Sequence, residues 1–201
     1  MIGTVHDSYV RGNAIHHTYN RAVTIHGVHY LEIQNNVAFH TMGHSIFIED
    51  AAETNNVVED NLIVWTRRSW SLLNTDQTPA CFWITHPDNI FRRNRAAGSD
   101  RYGFWFDTQT HSLGPSFSKD ICPENAKLGE FIDNSAHSMG RYGLRIFHNH
   151  NPRVKPCSPI TADDGDNPSI LAEYKNFLGY RCKRNGVIAS FVGHVHIVNA
   201  T

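Results

Sequence analysis

Residues 94–106, NRAAGSDRYGFWF, and residues 134–146, NSAHSMGRYGLRI, share one layout: an asparagine, an apolar residue two places on, and after nine places a glycine that opens a strand of alternating apolar residues. The same interval of nine separates Asn13 from Ala22 of AVTI and Asn36 from Ser45 of SIFI. Asn176 reaches Gly186 of GVIA in ten, and Asn61 finds its strand, CFWI, only after an inserted stretch that ends near Cys81. A unit of roughly two dozen residues repeated along a chain is the mark of a solenoid.

Aligned on the asparagine, Ile15, Ala38, Ile63, Ala96, Ala136 and Leu178 form one apolar column. Val23, Ile46, Phe82, Phe104, Leu144 and Val187 form a second, and Ile25, Ile48, Ile84, Phe106, Ile146 and Ala189 a third. A spacing of two between the second and third columns puts both on one face of a pleated strand. A further alternating piece precedes each asparagine, as in Leu31-Glu32-Ile33, Phe131-Ile132-Asp133 and Ala172-Glu173-Tyr174. Units this short have no room for a crossover helix, so like strands stack on like strands, and the fold class is all-β: a right-handed parallel β-helix with an apolar interior. An asparagine at the same corner of every coil can bond its own turn and the asparagines above and below, so a structural role is expected. His16, His17 and His40 are placed at that corner and given the same role.

Three segments, 67–80, 108–128 and 148–169, interrupt the repeat and read as loop insertions. The last two leave the same strand in successive coils, so they should project from one face and wall it off. An open first coil and an open last coil, VHIVNA, leave strand edges exposed, which predicts that residues 1–201 are one β-helix domain within a larger ectodomain.

A composition of 40% hydrophobic and 18% charged residues suits a soluble globular chain, and a net charge of -1 argues against a nucleic-acid partner. The basic pairs Arg67-Arg68 and Arg92-Arg93 read as solvated faces. No apolar run is long enough to span a bilayer, and the first residues lack the form of a signal peptide. Cys81, Cys122, Cys157 and Cys182 have no CxxC spacing, and the 14 histidines form no HExxH motif, which excludes the common zinc signatures. Cys122 and Cys157 lie in proline-rich irregular segments, where a disulfide could pin two loops in an oxidising compartment. Cys81 and Cys182 fall inside the repeats as small buried residues.

Two outward columns carry candidate chemistry. One runs Thr24, Phe47, Trp83, Trp105 and Arg145; its stacked rings would suit sugar rings if open, unless the insertions fold over them. The next runs His26, Glu49, Thr85, Asp107 and Phe147, joined in sequence by His44, Asp50, Glu53 and His86. His26, His44, Glu49, Asp50 and Asp107 are candidates for acid and base work on a glycosidic bond, and Glu49, Asp50 and Asp107 for holding a hard cation such as calcium. Phe47, Trp83, Trp105, Arg145 and His86 are candidates for ligand contact. Asn199-Ala200-Thr201 is a glycosylation sequon; Asn167 is followed by Pro168 and is not.

IHHTYNRAVTIHG (15–27), GHSIFIEDAAETNN (43–56), PACFWITHPDN (79–89), AAGSDRYGFWF (96–106) and NSAHSMGRYGL (134–144) together resemble the parallel β-helix region of the fibrocystin-L and cell-surface hyaluronidase group, whose members also carry G8 domains. The resemblance implies one block of a large extracellular or membrane-anchored protein, acting either as a module that binds a polysaccharide or a neighbouring ectodomain or as a depolymerase of hyaluronan type. It points first to His26-Gly27 and to Gly43 through Asp50. The run Thr75-Asp76-Gln77-Thr78-Pro79 and the short insertion after Trp70 depart from the hyaluronidase-like pattern.

Overall fold

A computed structural model describes residues 3–4, 7–70, 74–159 and 164–201. Its strands fall into three long parallel sheets and a two-stranded pair, Gly3–Thr4 with Val28–His29. The first sheet stacks Tyr9–Arg11, Glu32–Gln34, Val57–Glu59, Ile90–Arg92, Glu130–Ile132, Ala172–Lys175 and Val195–Val198. The second stacks Ala14–Thr18, Val37–Thr41, Leu62–Thr66, Arg95–Ser99, Ser135–Met139 and Leu178–Tyr180. The third stacks Val23–Ile25, Ile46–Ile48, Ala80–Ile84, Tyr102–Phe106, Tyr142–Ile146 and Asn185–Ala189. Each coil contributes one strand to each sheet, which is a parallel β-helix.

Over the first five coils the inward columns are those the spacing predicts, whereas Ala189 in the last coil of the third sheet is exposed. Ile25, Ile48, Ile84, Phe106 and Ile146 share one core cluster with Phe82, Phe104 and Leu144, and Phe82 stacks on Phe104 with ring centroids 4.5 Å apart. Parallel strands lie about 4.8 Å apart, so identical side-chain types on successive coils meet at van der Waals distance. Space between facing sheets is tight where two small residues oppose: a Cβ on Gly103 would sit 2.6 Å from the Cβ of Ala136.

The first corner is an amide ladder. Oδ1 of Asn36, Asn61, Asn94 and Asn134 each accepts from the backbone N–H and the Nδ2 of the asparagine one coil earlier, at 2.9 to 3.1 Å. Each Nδ2 in that set also donates to a carbonyl of the preceding sheet: Val10, Ile33, Val58 and Phe91 in turn. A shorter ladder joins Asn56 to Asn89 at the return corner.

The sixth rung differs from the expectation. Leu178 pairs with Ser135 and Gly179 with Ala136, so Phe177 takes the ladder position and Leu178 turns outward, 42% exposed. Asn176 instead joins Gly12, Asn35, Asp60, Arg93 and Asp133 at positive φ, one place before the ladder. Asparagine tolerates the left-handed region as well as it caps a turn, so two successive corner positions favour the same residue. His17 and His40 also move: they lie at the far end of the second sheet, at positive φ with Trp65, Gly98, Ser138 and Arg181.

Insertions 108–128 and 148–169 pack against each other. Asn151 and Arg153 donate backbone N–H groups to the carbonyls of Glu124 and Asn125, and Cys122 is disulfide-bonded to Cys157 with Cα atoms 5.3 Å apart. Insertion 67–80 precedes Ala80–Ile84, so it joins the third sheet at the opposite end of the strands from the other two. Among the described residues no helix is long and apolar enough to cross a membrane.

Candidate functional site

The outer face of the third sheet carries the aromatic stripe, and the stripe is closed. Phe47, Trp83 and Trp105 are 2%, 5% and 6% exposed and form a second apolar cluster with Ala80, Tyr102 and Tyr142. Of the two alternatives the sequence leaves open, the covered stripe is the one found, and side chains from the coils themselves fold over it. The guanidinium of Arg21 lies 3.7 Å above the Phe47 ring, and Arg145 lies 4.1 Å above Trp105. Arg145 thus acts as a lid on Trp105 and Tyr102.

His44 belongs to the same closed layer. It is fully buried, its ring 4.2 Å from that of Trp83. Its Nδ1 accepts from the N–H of Ala80, and its own backbone N–H donates to Asp76 Oδ1. Burial, with Arg21 as the lesser cause, holds its pKa well below the usual histidine range. His44 therefore stays neutral and out of reach of a substrate, and its work is to tie insertion 67–80 to the coils. Asp76, in the Thr-Asp-Gln-Thr-Pro run, is the other half of that tie.

At the end of the third sheet the expected convergence is partly present. His26 Nδ1 lies 3.3 Å from Glu49 Oε2 and 3.6 Å from Asp50 Oδ2, and one ligand atom from each of the three falls within 4.8 Å of the others. Asp107 does not join them. Ile25 pairs with Ile48, and Ile84 with Phe106, so Thr85 stands between Glu49 and Asp107, about two strand spacings apart. Asp107 faces His148 at 3.6 Å and accepts from Gln109 at 2.8 Å. Burial raises its pKa to about 6 against the opposing pull of His148 and Arg145. Glu49, Asp50 and Asp107 are thus not brought together, whereas His26, Glu49 and Asp50 are.

Glu53 fixes the turn behind this cluster. Its carboxylate accepts the backbone N–H groups of Gly27, Asp50 and Ala52 at 2.9, 3.4 and 3.1 Å. His86 faces a different space, a cleft of about 760 Å³ between the two disulfide-linked insertions, lined also by His29, Asp88, Lys127 and Arg153. Its Nδ1 accepts from the N–H of Asp88, and burial pushes its pKa down to about 3.

Sequence reasoning missed a groove at the corner between the second and third sheets. It measures about 510 Å³ and is lined by Trp65, Arg68, Asp100, Arg101, Arg181 and Lys183 among others. Trp65 is 44% exposed and stacks on His40 with centroids 4.3 Å apart. Asp100 is engaged by Arg67 and by the backbone of Arg68, leaving four cationic side chains lining the groove against one occupied carboxylate. Arg92 and Arg93, by contrast, are neutralised by Glu59, Asp60 and Glu130. Asn199 is exposed at positive φ, and its Nδ2 donates to Asn176 at 3.4 Å; it is a corner residue of the last coil.

These features define a parallel β-helix whose insertions and corners, more than its coils, build the surface chemistry. The chain belongs to the CEMIP beta-helix family, which matches residues 1–144. It is 48% identical to mouse fibrocystin-L over 145 residues, 72% of this chain and 3% of that protein. It is 33% identical to human cell surface hyaluronidase CEMIP2 over 188 residues, 80% of this chain and 13% of that protein. It is 31% identical to the human cell migration-inducing and hyaluronan-binding protein over 166 residues, 69% of this chain and 12% of that protein.

Proposed function

We propose that this chain is a module of a larger extracellular or cell-surface protein and that it binds a polyanionic polysaccharide without cutting it. The observation that carries the reading is the Trp65 groove, where Arg68, Arg101, Arg181 and Lys183 meet an exposed aromatic ring. Carboxylated sugars pair with guanidinium groups through charge-assisted hydrogen bonds, and their apolar faces rest on indole rings. A disulfide between Cys122 and Cys157 supports an oxidising compartment, and two of the named relatives are hyaluronan proteins.

Size-defined hyaluronan, titrated into the intact chain at low and high salt, tests this. Binding weakened at least tenfold by a combined Arg181→Ala and Lys183→Ala change, and by added salt, is the expected result. Binding indifferent to those changes would overturn the groove, and no binding at all would favour a neighbouring ectodomain as the occupant.

A second reading, depolymerisation, is favoured by Asp107, a buried carboxyl with a pKa near 6 on the same sheet edge as Glu49. Two carboxyl groups about two strand spacings apart, one of them with a pKa raised by burial, are the kind of pair that acid-assisted glycoside cleavage uses. Hyaluronan that shortens with the native chain, with or without calcium, and not with Glu49→Gln or Asp107→Asn would establish it.

A further inference from the structure

We propose that His26 Nδ1, Glu49 Oε2 and Asp50 Oδ2 form a binding site for a first-row divalent cation, separate from the Trp65 groove. The three atoms come from adjacent coils, His26 pairing across to Glu49 one strand away, and converge within 4.8 Å. Convergence alone would be an ordinary polar edge. The distinguishing observation is Asp50: its side chain is 6% exposed, and its Oδ2 accepts no hydrogen bond among the described residues. A buried carboxylate oxygen without a donor is costly unless something positive takes its lone pair. The nearest candidate, His26 Nδ1, lies at 3.6 Å from Asp50 and 3.3 Å from Glu49, so a single N–H cannot satisfy both. A cation among the three would satisfy both carboxylates and the imidazole lone pair together.

The surrounding backbone holds Asp50 in this position. The N–H of Leu113 donates to the carbonyl of Asp50 at 2.7 Å, which brings insertion 108–128 down on the carboxylate. Gly114 packs there at φ +55, and a Cβ on it would lie 2.8 Å from Asp50 Oδ1. Glycine is therefore required at 114 on two counts, backbone region and space. Glu53, bonded to Gly27, Asp50 and Ala52, fixes the other side. His26 and Glu49 remain about half and two-fifths exposed, which leaves an entry path and room for water ligands.

The donor set selects the metal. One imidazole nitrogen with two carboxylates suits manganese, iron or zinc, whereas calcium prefers six to eight oxygens. The experiment uses the full, disulfide-intact chain stripped with chelator and titrated with MnCl2, with free Mn2+ followed by electron paramagnetic resonance and stability by thermal shift. One equivalent bound at micromolar concentration, with a raised melting temperature, is expected. Binding should weaken at least tenfold in His26→Ala, an exposed change that leaves the fold alone, and in Asp50→Asn. Binding retained in His26→Ala, or none below millimolar Mn2+, would overturn the site. Displacement of Mn2+ by equimolar Ca2+ would overturn the choice of metal class. Hyaluronan is absent from this assay, so its outcome is independent of the groove.

Discussion

The hydroxyl of Tyr174 donates to Nδ1 of His150 at 2.9 Å, and Nε2–H of the same ring donates to the carbonyl of Ala126 at 3.2 Å. Tyr174 is in the first sheet, His150 in insertion 148–169 and Ala126 in insertion 108–128. One neutral imidazole thus fastens both large insertions to the core. All of its hydrogen-bonding capacity is used in the single tautomer that carries the proton on Nε2.

That arrangement predicts acid sensitivity. Burial depresses His150 to about 4 and His86 to about 3, and holds His44 low as well. Unfolding exposes these rings to water, where they take up protons near their usual value of about 6.5. The stability they confer is complete above that value and is lost as pH falls towards 4, by about 1.4 kcal/mol per pH unit for each proton taken up. Asp107 acts in the opposite direction: its pKa is raised to about 6, so folding disfavours its ionised form as pH rises from about 3.8 to 6. Asp88, also raised by burial, acts the same way as Asp107, and three histidines outweigh these two carboxyls, so the melting temperature should drop between pH 7.5 and pH 5. A flat or rising melting temperature across that interval would contradict the buried neutral histidines.

The amide ladder predicts a gradient of mutational cost along the solenoid. Asn61→Ala removes the acceptor of Asn36 N–H and Nδ2 and the donor to Ile33 and Asn94, all in the dry interior. Orphaned buried groups cost about 1–3 kcal/mol each, so a loss of about 2–4 kcal/mol is expected. Asn13 is exposed, and among the described residues its Nδ2 donates to Arg11 and Asn36, so Asn13→Ala should cost less than about 1 kcal/mol. Urea midpoints of the two variants provide the comparison, and equal costs would refute the ladder as a buried network.

The four tryptophans separate by accessibility. Trp65 and Trp70 are 44% and 74% exposed while Trp83 and Trp105 are closed in, so iodide should quench about half the tryptophans and leave the rest emitting to the blue. Trp83 and Trp105 also differ from each other. Trp105 Nε1–H donates to the carbonyl of Phe147 at 3.1 Å, whereas Trp83 Nε1 has no partner among the described residues. Trp83→Phe removes an unmet donor and should be nearly neutral, while Trp105→Phe leaves the Phe147 carbonyl unpaired and should cost about 1–3 kcal/mol. Either substitution to alanine should cost about 3–5 kcal/mol in stability.

Periodicity made the interior legible because side chains one coil apart must pack on each other, so Ile25, Ile48, Ile84 and Phe106 declare their column in the letters alone. The Cys122–Cys157 pairing was readable from two irregular proline-rich segments. The slip at Asn176 arose because a turn residue in the left-handed region and a ladder residue both favour asparagine, and only Phe177 packing on Phe104 and Phe131 decides between them. The separation of Asp107 from Glu49 was in fact present in the sequence alignment, which places Thr85 between them. Closure of the aromatic stripe was one of two alternatives in the sequence, but the groups that close it were not legible, since Arg21, His44 and Arg145 reach it from separate coils. The Trp65 groove was hidden for the same reason: Arg68, Arg101, Arg181 and Lys183 are far apart along the chain and meet only across the corner.

The disulfide yields the last prediction. Cys122 and Cys157 are 35 residues apart, and closing a loop of that length removes unfolded-state entropy worth about 3–4 kcal/mol. The bridge lies in the two insertions, outside the strands, so its loss should lower the melting temperature while leaving the β-sheet circular dichroism below the transition unchanged. The insertions themselves should loosen. Leu113 and Gly114 hold Asp50 from the first of them, and His150 enters from the second, so reduction should also increase hydrogen exchange at Leu113 and Asn151. A paired measurement on the oxidised chain and on Cys122→Ser, Cys157→Ser checks both effects. Unchanged exchange at Leu113 with a lowered melting temperature would show that the bridge acts only on the unfolded chain and that the Asp50 wall stands without it.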